Sequence, residues 1–342
     1  MKTGTTNFSA FLLFHQFLRQ YSSIHTISPS QTLQESIKAA VESKLYKKLP
    51  DLFPSLRDAC QNPSPFSFLS TLPVNFTTQV VDEILQSLIP LRPRSRPQLV
   101  YASLLFYTLQ SPSPLPLSLS VLQRILHSGC VPAPQTHLLL SSAWLKQRGQ
   151  SKSVANILLD MRSIGYEPDS SICNYLISSL CAIDELAEAS QVLKAMGGAG
   201  CIPDLESYGT LIGASTAVRR TREAVELLKE MVVKVKLTPR QGTIINVVAA
   251  LRANREIRRA VEIIELLEKE SHNVGFESYE LLVEGCLDCR EYILAGKVVM
   301  GMTKRGFIPY IRVRQKVVEG LADVGEVELA SAVRRRFAEL RS

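Results

Sequence analysis

The sequence is poor in the features that mark secreted and membrane-spanning proteins. No uninterrupted apolar run reaches eighteen residues, so no membrane span is predicted. The seven cysteines are an odd number scattered over 342 residues, which argues against a disulfide framework and favours a reducing compartment. Glycine and proline are not in excess, so neither a collagen-like nor a disordered chain is indicated. With 46% apolar residues, the chain can bury a sizeable core.

The motifs of common enzyme sites are also missing. The five histidines form no pair at ligand or triad spacing, and neither a glycine-rich phosphate loop nor a carboxylate cluster for two metals occurs. Cys286 and Cys289 form a single CxxC without the second pair of ligands that a zinc site needs, so two core cysteines are the better interpretation. We therefore predict a protein that is not an enzyme, with no cofactor, no metal and no small-molecule substrate.

Acidic residues are absent from the first 34 positions, and the first acid is Glu35. This start is rich in Ser and Thr and contains the apolar stretch FSAFLLFHQFLRQYSS, which predicts a transit peptide over residues 1–30. The letters RQYSS resemble a mitochondrial presequence cleavage region, so we predict a mitochondrial location, with the chloroplast as the alternative. The other interpretation is a tail that contains few acids by chance.

An internal period of 35 or 36 residues dominates the rest of the chain. Prolines recur at this period, and four of these prolines have a glycine three residues before them. A small residue recurs at the same period in six segments that align without gaps, such as EASQVLKAM and EAVELLKEM. The prolines are Pro97, Pro132, Pro168, Pro203, Pro239 and Pro309, and the glycines are Gly129, Gly165, Gly200 and Gly306. The small position is Val154, Ala189, Ala224, Ala260, Ala295 and Ala330. Series that share one period predict a repeat array.

Each repeat is predicted to contain two helices, as unit 170–204 shows. Its first helix has an apolar stripe at helical spacing, and so does its second: Ile172, Leu176, Ile177 and Leu180, then Leu186, Ala189, Val192, Leu193 and Met196. Asp184 stands where an N-cap of the second helix is expected, and Gly200 where a left-handed C-cap is expected. Pro203 prevents the helix from continuing, and Asp204 is expected to cap the next unit's first helix.

Because a helix pair cannot bury its apolar stripe alone, neighbouring pairs must stack. We predict an all-α fold, a right-handed superhelical solenoid of helix-turn-helix repeats over residues 98–342. Its units begin at about 99, 134, 170, 205, 241 and 276, with a partial unit from 311. Residues 31–97 are predicted to be a helical N-terminal region that contains a possible degenerate repeat.

A two-helix unit of 35 residues that closes in Gly-x-x-Pro-Asp resembles the pentatricopeptide repeat. NYLISSLC, from Asn174 to Cys181, and EAVELLKEM, from Glu223 to Met231, are similar to that repeat's first-helix and second-helix signatures. The tetratricopeptide repeat is the near rival, but its Trp and Gly-Tyr signals do not recur here. The resemblance implies that single-stranded RNA lies along the first helices, about one base per unit, read by two or three side chains.

The resemblance also implies which residues read bases, namely the fifth and the last residue of each unit. In unit 170–204 these are Asn174 and Asp204, a combination that resembles the uracil-preferring pair. The other units give Leu138 with Asp169, Gly209 with Arg240, Ile245 with Gly275 and Glu280 with Tyr310. Aliphatic or absent side chains cannot make directional hydrogen bonds to a base, so only unit 170–204 is expected to read one fully.

Charge is unevenly distributed along the array, in a chain of net charge +7. Residues 211–260 contain eleven Lys and Arg against four acids, whereas residues 261–291 contain nine acids against two bases. The arginines near two turns are Arg219, Arg220 and Arg222, then Arg252, Arg255, Arg258 and Arg259. Arg252 and Arg255 are candidate phosphate contacts; ordinary solvated charge is the alternative.

The predicted function is therefore non-catalytic binding of single-stranded RNA in an organelle, serving transcript maturation, stability or translation. Asn174, Asp204, Asp169, Arg240, Arg252 and Arg255 are the predicted RNA-binding residues. The alternative is a protein-interaction scaffold, such as a ribosome-associated or complex-associated subunit, that keeps the repeats but has lost base reading. In that case the partners are proteins. The reader positions that depart from the family's pattern favour this alternative.

Overall fold

The structure is a computed structural model that describes residues 29–53, 64–110, 115–150 and 152–340. The segment 1–28, and with it nearly all of the predicted transit peptide, lies outside the described residues. Within the described ranges all regular structure is helical and no strand occurs, which confirms the all-α prediction. None of these helices is both long enough and apolar enough to cross a bilayer.

The chain divides into two compact units, and the first comprises the described residues up to 110 together with Ser128–Val131. Its helices are α1 (Pro29–Glu42), α2 (Val74–Leu88) and α3 (Gln98–Gln110), with 3-10 turns at Tyr46–Leu52 and Ser67–Thr71. Fully buried side chains of this unit include Ile37, Leu49 and Leu85. The described parts of this range contain these helices, while the helical N-terminal region predicted for residues 31–97 and its boundary at 98 stay predictions.

The second compact unit comprises Pro112–His127 and Pro132–Ser342 and contains the remaining helices. They are α4 (Leu115–His127), α5 (Gln135–Arg148), α6 (Val154–Leu159), α7 (Ser170–Cys181), α8 (Leu186–Ala195), α9 (Leu205–Ala217), α10 (Thr221–Lys229), α11 (Gln241–Ala253), α12 (Ile257–Lys269), α13 (Phe276–Asp288), α14 (Tyr292–Lys304), α15 (Ile311–Asp323) and α16 (Val327–Glu339). From α5 onward, first and second helices of the repeats alternate at the predicted period.

The predicted apolar stripes form the core between these helices. Ile172, Leu176, Ile177 and Leu180 are each fully buried on α7. Helix α7 packs against its own second helix, α8, and against the first helices on either side, α5 and α9. The same pattern continues because α9 contacts α11, α11 contacts α13 and α13 contacts α15. A repeat's core stripe is thus covered by its neighbours, as expected for a helical repeat array.

The joint after each second helix adopts a left-handed backbone. Gly165 and Gly200 have φ of +84° and +82°, which confirms the C-cap predicted from the glycine series. The two joints that lack glycine use Lys236 (φ +61°) and Ser271 (φ +62°) in the same conformation. Because a side chain in this region is strained, the fold imposes the conformation and glycine merely suits it.

The prediction for Asp184 is wrong. The N-cap of α8 is Glu185, whose side chain makes no capping bond, and Asp184 has φ +61°. An N-cap side chain acts from an extended backbone, whereas the turn between the two helices requires a left-handed residue here. Asp204, by contrast, caps α9 as predicted, accepting the backbone N–H groups of Glu206 and Ser207 at 2.9 Å each.

The joints allow a paired stability test, because Gly165 and Ser271 hold the same left-handed position in different repeats. A Cβ added at Gly165 would meet nothing within 4 Å, so Gly165→Ser should cost only backbone strain, about 1 kcal/mol. Ser271→Gly should stabilise by a smaller amount, because relief of strain is partly offset by glycine's unfolded-state entropy. Thermal unfolding followed by circular dichroism measures both. Equal midpoints for the two variants would contradict a strained joint.

Candidate nucleic-acid interface

Asn174 and Asp204, the predicted base-reading pair, are in direct contact. Asn174 lies on α7, and its Nδ2 donates to Asp204 Oδ1 and Oδ2, both at 3.1 Å. Asp204 reaches this position because it is the N-cap of α9, the first helix of the next unit. The asparagine is only 6% exposed, so neighbouring helices hold its amide in place. The structure therefore brings the two residues together across a repeat boundary.

Ser207 completes this network and is not among the site residues predicted from the sequence. Its Oγ donates to Asn174 Oδ1 at 2.5 Å and accepts the backbone N–H of Asp204 at 3.1 Å. The second bond belongs to a capping box, in which Asp204 and Ser207 satisfy each other's backbone amides. Asp-x-x-Ser at the start of an apolar periodic segment is the signal that would have predicted it.

The network fixes the protonation state of Asp204. Burial raises the pKa of this carboxyl, but hydrogen bonds from Ser207, Asn174 and Glu206 outweigh burial and hold the pKa below its ordinary value. The group is therefore an ionised acceptor at neutral pH. Among the described residues, Asp204 Oδ2 accepts from Asn174 alone, which leaves it able to accept a further N–H from a ligand. A ring N–H on the Watson–Crick edge of a base is such a donor.

Asp169 occupies the equivalent place at the end of unit 134–169, but its carboxylate is filled. It caps α7 through the backbone N–H of Ile172 at 3.0 Å and accepts from Ser171 Oγ at 2.7 Å. Gln123 Nε2 donates to its other oxygen at 2.9 Å, and His127 Nε2 lies 2.7 Å from the same oxygen. The proposed reading partner of Asp169, Leu138, is 60% exposed and apolar. This geometry gives Asp169 a capping role, and RNA binding there stays a prediction.

In unit 276–310 the fifth residue is a buried acid. Glu280 is 7% exposed, and no side chain among the described residues donates a hydrogen bond to its carboxylate. Burial and the nearby charge of Glu284 raise the pKa of Glu280, opposed by the backbone N–H of Tyr310. Tyr310, the last residue of the unit, is 65% exposed, and its ring meets Phe276 edge-on at 5.4 Å. The pair therefore differs from Asn174 and Asp204 in charge, bonding and exposure.

The basic and acidic stretches of the sequence pair with each other across repeats. Arg252 on α11 donates to Glu284 at 2.6 Å and to Asp288 at 2.8 Å, both on α13. Arg258 bonds Glu291 at 2.9 Å, and other pairs of the same kind join Lys236 to Glu270 and Arg148 to Glu188. The partners in the two stretches lie 32 to 36 residues apart, and Arg148 and Glu188 lie 40 apart, so these charges join neighbouring repeats. Arg252 is thus held by two carboxylates, and its contact with phosphate stays a prediction.

Arg240 and Arg255, in contrast, are exposed and form no ion pair with any residue that the structure describes. Arg240 precedes α11, and Arg255 lies in the turn between α11 and α12 with φ +59°. Both are available to an anion.

The CxxC pair has the character of core cysteines. Cys286 is fully buried, and burial, with the nearby Cys289 and Glu291, raises the pKa of its thiol to about 12. Over the described ranges, the structure shows no group of three or more His, Cys, Asp or Glu side chains placed to hold a metal ion.

These features define a class, an α-helical repeat protein in which an amide on a first helix bonds a carboxylate at the repeat boundary. A profile of the PPR repeat matches residues 171–201 and 206–234. Over 317 residues the chain is 57% identical to the pentatricopeptide repeat-containing protein At1g06270 of Arabidopsis thaliana, covering 93% of this chain and 92% of that protein. The chain belongs to the pentatricopeptide repeat family.

More distant similarities involve two other proteins. The small ribosomal subunit protein mL103 (rPPR7) of Arabidopsis thaliana is 27% identical over 124 residues, or 36% of this chain and 30% of that protein. The crystal structure of PPR10 from maize matches with 14% identity and a TM-score of 0.40, covering 96% of this chain and 57% of PPR10. PPR10 in complex with an 18-nt psaJ RNA element matches with a TM-score of 0.34 and 14% identity, covering 98% and 54%.

The buried acid at position 280 predicts an unusual pH dependence. Because the pKa of Glu280 is raised in the folded state, its stabilising protonated form is lost as the pH rises from the unfolded pKa, about 4.3, through the raised value. Glu280→Gln removes this loss, so the variant should exceed the parent by roughly 1–3 kcal/mol at about pH 7.5 and by much less at about pH 5. Urea unfolding at both pH values measures the difference. The matched control is Glu277→Gln, an exposed glutamate on the same helix; an equal gain from both variants would contradict the assignment.

Proposed function

We propose that this protein binds single-stranded RNA without catalysing a reaction, and that it reads one base with Asn174 and Asp204. The observation that carries the proposal is the ordered network in which Asn174, Asp204 and Ser207 are held together at a repeat boundary. Pre-ordered polar groups bind with less loss of conformational entropy than mobile ones. Family membership supports RNA as the ligand, since repeats of this kind take about one base per unit.

The network also favours a particular base edge. Asp204 Oδ2 is a charged acceptor, and the neighbouring amide of Asn174 supplies the complementary polar group. Uracil offers one ring N–H between two carbonyl acceptors, which matches one carboxylate acceptor beside an amide donor. The uracil preference that the family resemblance implies therefore has a chemical basis at this pair.

We place this activity in an organelle, the mitochondrion in the first instance and the chloroplast as the alternative. The acid-free, Ser-rich start of the chain supports the proposal. A fluorescent fusion of the first 40 residues tests it. Cytosolic fluorescence would contradict it, and co-localisation with plastids would select the alternative.

A protein-interaction scaffold is the second candidate. It is favoured by reader positions that lack the amide found at Asn174, above all the exposed, apolar Leu138 and the buried acid Glu280. One distant relative is named as a ribosomal subunit protein. Selection from a random single-stranded RNA pool separates the two candidates: enrichment of a short motif supports reading, while weak RNA binding together with specific protein partners supports the scaffold.

The reading pair makes a specific prediction about base preference. Asn174→Thr removes the amide from the pair, so the preferred base at one RNA position should change, with discrimination worth about 1–3 kcal/mol. The salt dependence of binding should stay the same, because no phosphate contact is lost. Affinities for single-base RNA variants at low and high salt provide the measurement.

The matched control is Asn254→Thr, an asparagine that follows α11 and whose Nδ2 donates to the carbonyl oxygen of Arg219 and to Thr221 Oγ1 of the preceding repeat. It should leave base preference unchanged. If Asn174→Thr keeps the fold and binds RNA with an unaltered base preference, the pair does not read a base. The scaffold then becomes the better explanation.

A further inference from the structure

The turns between the first and second helices of successive repeats form a row. Asn254 Nδ2, in the turn after α11, donates to the carbonyl oxygen of Arg219, in the turn after α9, at 3.3 Å. Thr221 Oγ1 donates to Glu256 Oε1 at 2.6 Å between the same two turns. The next turn is joined to this row through the ion pair of Arg258 with Glu291. Three consecutive turns therefore lie side by side along one edge of the repeats.

The same position of each of these turns holds an arginine in a left-handed conformation. Arg219, Arg255 and Arg290 have φ of +59°, +59° and +58°. All three side chains are exposed, and none forms an ion pair or hydrogen bond within the described part of the chain. The acids beside them are already paired, Asp288 with Arg252 and Glu291 with Arg258. We call Arg219, Arg255 and Arg290 the arginine row.

The row has clear ends. The equivalent residue one repeat earlier is Asp184 (φ +61°), and one repeat after Arg290 it is Gly325 (φ +80°). Gly and Asp are residues that tolerate this backbone conformation, whereas arginine pays its steric cost. Three successive arginines at positions where glycine would fold more easily are strained residues without a structural partner. Because these side chains are exposed and bond nothing within the described part of the chain, their guanidinium groups can bind an anion from outside.

We propose that the arginine row binds the phosphate backbone of the RNA, at the turn end of the first helices. This proposal rests on the proposed RNA binding. It specifies which of the protein's many basic side chains contact the RNA strand. In each of these units the row residue follows the fifth residue by ten positions, about 15 Å along the first helix. Arginine suits the role because its planar guanidinium binds phosphate oxygens in pairs.

The test compares two triple variants by fluorescence anisotropy with a short fluorescein-labelled oligouridylate, from about 50 to about 200 mM KCl. Arg219→Gly, Arg255→Gly and Arg290→Gly together should weaken binding about tenfold at low salt and reduce the slope of log affinity against log salt by about 2. The same variant should unfold at a higher temperature than the parent, because the strain is removed. Weaker binding with greater stability cannot be explained by damage to the fold.

The control removes the same charge elsewhere, through Lys297→Gln, Arg334→Gln and Arg335→Gln, which are exposed residues on the second helices α14 and α16. It should change the salt slope much less. If the parent binds RNA and the row variant keeps its slope, the arginine row is not the phosphate site, although the proposed function stands. If the row variant keeps RNA binding but loses affinity for polyglutamate, the row binds an acidic protein instead. If the parent binds no RNA at all, the proposed function fails, and the proposal that the arginine row binds phosphate fails too.

Discussion

The burial of each repeat's apolar stripe by its neighbours is the constraint on which the rest of the structure depends. Leu176 and the other stripe residues of α7 are fully buried, and the helices that cover them come from the preceding and following units as well as from α8. Because no helix pair closes its own core, each joint must deliver the next pair in a fixed register. The left-handed residues at every joint meet that demand, even where Lys236 or Ser271 has to replace glycine.

The same constraint places the functional groups. Asp204 is ordered because it caps α9, and this cap lies against α7 only because the two units stack. The pair proposed to read a base therefore results from the repeat joint, in which one carboxylate both caps the start of a helix and accepts from a neighbouring amide. Asp169 shows the limit of this arrangement, since its carboxylate is already filled by Gln123, His127 and the capping amides.

Much of the fold could be predicted from the sequence, because a local signal that recurs at a fixed period identifies the equivalent position in every repeat. The period, the buried stripes and the joint at Gly200 all follow from residues whose type alone favours a backbone conformation or a buried helix face. The conformation of Asp184 could not be predicted, since it is determined by how the two helices of the repeat pack against each other. The burial of Glu280 and the double pairing of Arg252 depend on the neighbouring unit's surface, which a single unit's sequence does not contain. The capping role of Ser207, in contrast, follows from the local pattern Asp-x-x-Ser at the start of α9.

Hydrogen exchange of a Leu176→Asp variant tests the central claim most directly. A buried, unpaired carboxylate at this position costs several kcal/mol, comparable to the net stability of a domain. If neighbouring repeats share one core, amide protection should fall in α5 (Gln135–Arg148) and α9 (Leu205–Ala217) as well as in α7. Loss of protection confined to residues 170–204 would show that the repeats fold independently, and would contradict the account.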